Sequence, residues 1–450
     1  MKKVIILNIC LVFVLALLPA ETTKGQDMSL SGTLVYDISF VNKNVNFDIL
    51  ESVDNIGNLY IRYHSQLPSV KTFVNKDGTV TVCTSDDKKK ITYIYEYSML
   101  LKETKTLSFN NELGSLGAFT KDDDGNYYFF YGEKTSRRND VNMAVLKYNK
   151  DGKKMNQYKL EAFALNSFNG IKIPFQAGTC RLEISGSMLA VYFAREKFNG
   201  HQSSYGFILD KYNFERIDNG QITNKGMRIS DKNTIPYVSH SFNQFVLPIN
   251  NGFLYADHGD AYPRAFCFSK FIYGGNTQQL EAFKFPGAIG LNNTTAEMGG
   301  IAKTSTGYIF VGAYGLMKES NPRNLFILTF DEMLSGCSNP VYLTKYTKND
   351  GHVGHPKIVA LDTNRFLVLW EKFKFSTQAS DIITSERTEY LSTHILIINE
   401  KGEAVSNVAE LEGVRLNMND VPRYNPHNGK VYWAINDSEK SIKVFALEIK

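Results

Sequence analysis

The densest gathering of groups able to do chemistry lies between residues 240 and 264. His240, Asn243, Gln244, Asp257, His258, Asp260 and Arg264 fall within it. Two imidazoles and a carboxylate form a donor set that suits zinc or another transition metal. The same side chains serve equally well to hydrogen-bond loops and cap strand ends. No fixed ligand spacing relates them, so no metal and no cofactor is expected. Asp260, Glu297 and Glu371 offer a second chemistry, with His240 as a fourth catalytic candidate. Glycoside cleavage needs two carboxyl groups about 5–10 Å apart. A chain with 46 acidic residues meets that distance somewhere by accident, so catalysis stays an open alternative. Asp122-Asp123-Asp124-Gly125-Asn126 is rich in oxygen ligands, yet it lacks the terminal glutamate of a calcium loop and reads as a hairpin turn. There is no G-x-S-x-G, H-E-x-x-H, P-loop or dinucleotide fingerprint. Arg181, Arg195, His201 and His355 complete the candidate ligand-binding set. His201 falls in the polar loop read over Arg195–Ser204, and a second loop is read over Asp257–Arg264.

These residues must be positioned by strands. After residue 30 the apolar residues alternate or cluster in runs of four to eight, bounded by Gly, Asn, Asp and Lys. Asn126–Gly132, Met188–Ala194, Tyr308–Ala313, Phe366–Trp370 and Lys430–Ile435 are such runs, dominated by β-branched and aromatic residues. Tight-turn markers recur at Gly78, Gly125, Gly186, Gly252, Gly307, Asn364 and Gly429, 47 to 66 residues apart. A four-stranded unit with inserted loops at that period is the pattern of a β-propeller blade. Each such unit has an apolar face that only a neighbour can cover, so the units stack. The expected fold is all-β, a single propeller domain over 30–450 with about seven four-stranded blades; six or eight remain open. Segment 45–110 holds one blade or two, because Ile56-Gly57-Asn58 is another candidate turn. A strand near Thr33–Phe40 is expected to complete the last blade, Leu416–Ile449. In a propeller the start of each innermost strand and the loop after the second strand share one face. By analogy of fold, that face is where a ligand is expected.

Residues 1–25 read as a cleaved signal peptide. Lys2 and Lys3 precede the apolar run Val4–Ala20, and a cut after Gly25 leaves Gln26 first. That cut removes three lysines and one glutamate, taking the formal charge from +4 to +2. So balanced a charge argues against a nucleic-acid partner. No other run is long and apolar enough to span a bilayer, so a secreted or cell-surface monomer is expected. Its partner is a glycan or an extracellular protein. The alternative is an extracellular hydrolase or lyase acting on carbohydrate at the same face. Cys83, Cys180, Cys267 and Cys337 remain after cleavage, as two disulfides or as four free thiols. Asn292, Asn293 and Asn436 head N-x-[ST] triplets.

The D-x-x-G-N turn followed by an aromatic strand, in Val53–Tyr60 and Asp122–Tyr128, resembles secreted propeller repeats. That resemblance implies the fold and no activity. Sialidase-type repeats carry Trp after the turn; Tyr or Val stands there here, so no sialidase residue is carried over.

Overall fold

The computed structural model describes residues 34–41 (backbone), 70–87, 89–163, 170–175, 179–218, 233, 235–290, 294–315, 321–375, 389–411, 413–438 and 441–449. The signal peptide, the Val53–Tyr60 turn, Asn292 and Asn293 lie outside them. Among the described residues every element is a strand, and all paired neighbours are antiparallel.

Strand β1 (Leu34–Val41) precedes the first sheet. That sheet is β2 (Val70–Val74), β3 (Val80–Asp86), β4 (Ile91–Tyr97) and β5 (Glu103–Asn110). The second is β6 (Ser115–Lys121), β7 (Tyr127–Gly132), β8 (Val141–Tyr148) and β9 (Lys154–Glu161). An eight-stranded sheet follows, joined in its middle through the Ser203–Ser239 pairing. Its first half has β10 (Ile173–Pro174) and β11 (Cys180–Ser185), both paired with β12 (Met188–Glu196), and then β13 (Gln202–Asp210). Its second half has β14 (Ser239–Ile249), β15 (Gly252–Tyr262), β16 (Arg264–Ile272) and β17 (Gln278–Lys284). Next come β18 (Glu297–Lys303), β19 (Gly307–Tyr314), β20 (Asn324–Asp331) and β21 (Val341–Tyr342). They are followed by β22 (His352–Ala360), β23 (Arg365–Phe373), β24 (Tyr390–Asn399) and β25 (Ala409–Leu411). The last sheet is β26 (Arg423–Asn425), β27 (Lys430–Ser438) and β28 (Ser441–Glu448), with β1 as its fourth strand. Leu34 pairs with Leu447, which brings the two ends of the chain into one sheet as the sequence suggested.

Period-two alternation decides how these units pack. In β12, Leu189, Val191 and Phe193 join an apolar cluster shared with the second sheet. Met188, Ala190 and Tyr192 point the other way, into a cluster shared with β14, β15 and β16. Seven such clusters occur among the described residues. Each is built from the facing sides of two consecutive four-strand units. The seventh joins Tyr432, Ala434 and Val444 of the last sheet to Val70, Val80 and Val82 of the first. The innermost strands follow the same order. β2 contacts β6, β6 contacts β11, and so through β14, β18, β22 and β26 back to β2. Phenylalanine does much of the filling. Phe266 lies 4.8 Å from Phe285 and 5.0 Å from Phe310, ring centre to ring centre. Burying one such ring contributes on the order of 3 kcal/mol.

The tight turns gather at one end. In Asn75–Thr79 the amide of Gly78 donates to the Asn75 carbonyl at 2.9 Å, with φ at 81°. A side chain there would meet Met99 as well as the wrong backbone region. In the acidic turn, Asp122 Oδ1 accepts the amides of Asp124 and Asn126 at 3.1 and 2.8 Å. Its Oδ2 accepts Asn126 Nδ2 at 2.9 Å and the Tyr128 hydroxyl at 2.8 Å. The carboxylate is used by its own hairpin, which is the turn reading of this motif.

The opposite end carries the longer loops, and two sequence expectations are corrected there. Asp257–Tyr262 is not a loop: β15 runs on to Tyr262, with Asp257, His258 and Asp260 in register with Cys267, Phe266 and Arg264. Likewise Arg195 and Glu196 still belong to β12, and Gln202 already opens β13. Paired backbone extends these strands further than side-chain polarity suggested, because the polar side chains are covered by neighbouring units rather than by water.

Candidate functional site

Irregular strand starts place the polar residues at the loop end. The register slips in β14 between Ser239 and Gln244, and in β22 between Gly354 and Lys357. His240 and His355 sit in these bulges, each with φ at 50°, a region that non-glycine residues enter rarely. Each histidine faces a carboxylate near the end of the second strand of its own unit. His240 Nδ1 lies 3.2 Å from Asp260 Oδ1, and His355 Nδ1 lies 2.6 Å from Glu371 Oε2.

Around His240 the side chains form one group. His201 stands with its ring centre 4.9 Å away, and its Nε2 lies 3.0 Å from Ser239 Oγ. Arg264 donates from Nη1 to the Asp260 carbonyl at 3.0 Å. Asp260 is fully buried, whereas the His240 side chain keeps about a quarter of its surface exposed. His258 stands apart from this group. Its ring packs among Phe242, Phe266 and Phe285, with Nε2 2.6 Å from Thr294 Oγ1. Burial, helped by Arg264, pushes its pKa down to about 3, so it stays neutral.

Asp257 belongs to a buried chain of hydroxyls and amides. It accepts Tyr192 OH at 2.6 Å and Ser241 Oγ at 2.5 Å. Gln244 donates to Ser241 and accepts the Thr179 amide at 2.8 Å, and Asn243 Oδ1 accepts the Thr179 hydroxyl at 3.2 Å. Burial pushes the Asp257 pKa up to about 7, against the two hydroxyl donors. Arg181 ties three units at the centre. Its Nε donates to the Gln244 carbonyl and its Nη2 to that of Asn419, each at 2.8 Å, and it lies over Phe245. Arg195 is buried over Tyr205, with Nη1 donating to the Gly170 carbonyl at 2.8 Å and Nε to Ser203 at 3.4 Å. Its Nη2 makes no hydrogen bond.

The second group crosses three units. Arg323 Nη1 donates to Glu297 Oε2 at 2.9 Å, and the His355 amide donates to Glu297 Oε1 at 3.0 Å. Glu371 accepts Arg415 Nε at 2.8 Å and Nη2 at 3.2 Å, and the Leu416 amide at 2.7 Å. Glu297, Arg323, His355 and Glu371 are all buried. Burial alone would raise the Glu371 pKa. His355 and Arg415 overcome it and hold the carboxyl at about 2. Arg415 had no motif to mark it, since it arrives from the segment leading into β26.

Asp260 therefore keeps company with His240, while Glu297 and Glu371 meet at His355. Each acid already accepts from, or lies beside, a cationic or imidazole side chain. Glu371 is held ionised, so it cannot supply a proton at neutral pH. Among the candidate acids, Asp257 has a raised pKa, and it is sealed in hydrogen bonds. Among the described residues no cluster of three or more His, Cys, Asp or Glu side chains could hold a metal. The four cysteines are free, three buried and Cys337 exposed. One cavity of about 370 Å³ opens at the tight-turn end, lined by Ser185, Met188, Asp210, Asn250 and Tyr273.

The loop end leaves aromatic and cationic side chains in reach of solvent, beside acids such as Glu133 and Glu389. Arg138 lies over the Phe163 ring at 4.8 Å and near Phe198 at 5.9 Å, and the two phenylalanines are 6.1 Å apart. Phe163 is 38% exposed and Tyr262 59% exposed. Between them along the strand order stand His201 and His240. Sequence reading passed over Phe163 and Phe198. For Phe198 the signal was an aromatic inside a polar loop, just before Asn199 and Gly200; Phe163, flanked by Ala162 and Ala164, carried no such mark.

No protein-family model and no curated protein sequence matches the chain. Solved structures align over much of it at low similarity. A protein of unknown function from Dyadobacter fermentans shares 10% identity over 85% of this chain and 96% of its own, with a TM-score of 0.39. A DUF4221 family member from Bacteroides vulgatus shares 11% over 95% and 99%, at 0.41. An endo-arabinase from Bacteroides thetaiotaomicron shares 10% over 73% and 91%, at 0.32. Overlaps this loose transfer no residue role to this chain. Among the described residues no helix is long and apolar enough to cross a membrane.

Proposed function

We propose that this protein is a secreted, closed seven-bladed propeller forming one domain, and that it binds an extracellular glycan at its loop end without cleaving it. The closed sequence of inner-strand contacts and the cluster joining the last sheet to the first support the ring. Seven blades follow from counting the eight-stranded sheet as two, divided at Ser203–Ser239. The observation that carries the binding reading is the band of exposed Arg138, Phe163 and Tyr262 and half-buried Phe198, His201 and His240. It rests on buried side chains held by hydrogen bonds, Arg195 to the Gly170 carbonyl and Lys197 to Tyr237, with Asp260 beside His240. Aromatic faces stack on the apolar faces of sugar rings, and a preorganised base spares the cost of ordering them. The acids and histidines beneath brace the loops, His240 and Asp260 within their own unit and Asp257, His258, Glu297 and His355 across to a neighbouring one.

The test is a glycan array with the purified protein, followed by titration and product analysis on any positive glycan. The expected result is saturable binding without turnover, weakened about tenfold or more by Phe198→Ala. Turnover that disappears in a folded Asp260→Asn variant, or binding indifferent to Phe198→Ala, overturns the proposal.

A further inference from the structure

The aromatic band stands over positive charge. Arg195 is fully buried, and the acceptors it has, the Gly170 carbonyl and Ser203 Oγ, are neutral. Its Nη2 is left without an acceptor. A buried guanidinium without a carboxylate is costly, and such groups are normally paired. Two residues on, Lys197 is also buried, its Nζ donating to Tyr237 OH at 2.9 Å. Burial and then Arg195 push the Lys197 pKa down to about 7. His201, in the turn that Lys197 opens, is lowered to about 4 by burial and then by Lys197, His240 and Arg195.

The carboxylates nearby are turned to other partners. Glu196 lies 3.3 Å from Lys172, Glu133 lies 3.8 Å from Lys90, Asp140 accepts Thr135 Oγ1 at 2.6 Å, and Asp260 faces His240. At the surface, Lys134, Arg137 and Arg138 are exposed on the loop between β7 and β8. Buried charge in a low-dielectric wall projects its field outward with little screening. Arg195 and, at about half charge near pH 7, Lys197 thus hold positive potential under the Phe163–Phe198 platform, and Arg138 lies over it.

We infer that the ligand of the loop end is an anionic glycan, whose carboxylates or sulfate esters meet Arg138 above the Arg195–Lys197 base while its sugar rings stack on Phe163 and Phe198. This rests on the glycan-binding reading of the same face. Arg138 makes the direct contact; Arg195 and Lys197 act through their field.

The experiment is calorimetric titration of the full secreted chain with polygalacturonate, with heparin and with neutral arabinan, at 50 and 500 mM NaCl. Anionic polymer is expected to bind at least about tenfold tighter than neutral polymer at low salt and to lose most of that margin at high salt. Polygalacturonate alone identifies carboxylates as the recognised group; heparin alone identifies sulfate esters. Arg138→Ala is expected to weaken anionic binding about tenfold while leaving the unfolding midpoint in place. Because Arg195→Met risks unfolding, Lys134→Ala/Arg137→Ala serves as the second, exposed variant and should lower the salt dependence. Equal, salt-independent binding of neutral and anionic polymers overturns this inference and leaves the glycan reading standing. Binding of none of them, on an array that is also blank, overturns both.

Discussion

Glu371→Gln separates a brace from a catalytic acid. The carboxylate is fully buried and accepts four hydrogen bonds, from His355 Nδ1, Arg415 Nε, Arg415 Nη2 and the Leu416 amide. Glutamine keeps the shape and one oxygen acceptor, so the Leu416 amide stays satisfied. The other oxygen becomes an NH2 group, and the negative charge is gone. Each charge-assisted bond contributes about 1.5–3 kcal/mol when buried. Arg415 Nε shares Oε1 with the Leu416 amide and keeps its acceptor, and Arg415 is 41% exposed and regains hydration, so its lost Nη2 bond counts for only about 0.5 kcal/mol. His355 is buried and has no such recourse, so its bond carries the upper part of the range. The sum is a loss of about 3 kcal/mol. It should appear as a lower urea midpoint at unchanged slope, because the surface exposed on unfolding does not change. Arg415→Met should cost about 1 kcal/mol in the same assay. Stability of Glu371→Gln within about 0.5 kcal/mol of the parent would falsify the bracing argument, and loss of a turnover in that folded variant would make Glu371 a chemical participant instead.

Acid should destabilise the fold early. Burial lowers His201 and His394 to about 4 and His258 and His352 to about 3, so the unfolded chain takes these protons near pH 6.5 while the folded chain waits. Stability conferred by a lowered histidine is whole above its unfolded pKa and drains as pH falls toward the folded one. Asp257, raised to about 7 by burial, binds its proton in the folded state first and offsets about one histidine. The net loss between pH 6.5 and 5.5 is on the order of 3 kcal/mol, at about 1.4 kcal/mol per proton and pH unit; urea midpoints that are flat or rising over this interval contradict the burial of these rings. Thiol labelling of the native protein should modify Cys337 alone within minutes. Cys83, Cys180 and Cys267 are buried with their thiol pKa values raised, and should react only in denaturant; fast labelling of more than one thiol per chain in buffer would show that the units are not packed as described.

Sequence reading located the strands and turns well and the exposure of polar groups poorly, for separable reasons. Asn126–Gly132, Met188–Ala194 and Phe366–Trp370 were legible because β-branched and aromatic runs between turns rich in Asx and Gly are a local property. Gly125 needs its φ of 81° whatever surrounds it. The fate of Asp260, Glu297 and Glu371 was not local. A carboxylate at a strand end reads as solvated by default. Glu371 is buried because Arg415 and Leu416, more than forty residues on, fold across it. Arg195 was read as a rim residue for the same reason, and only the approach of Gly170 and Tyr205 encloses it.

The sequence by itself determined that the chain would be strands and where its hairpins turn. Those outcomes depend on side-chain periodicity and turn chemistry within a few residues. The tertiary structure alone decided which charges lie under protein and which face water, and so where a ligand can be met. Burial is a property of the space between units, and that space exists only once segments far apart in the chain have packed.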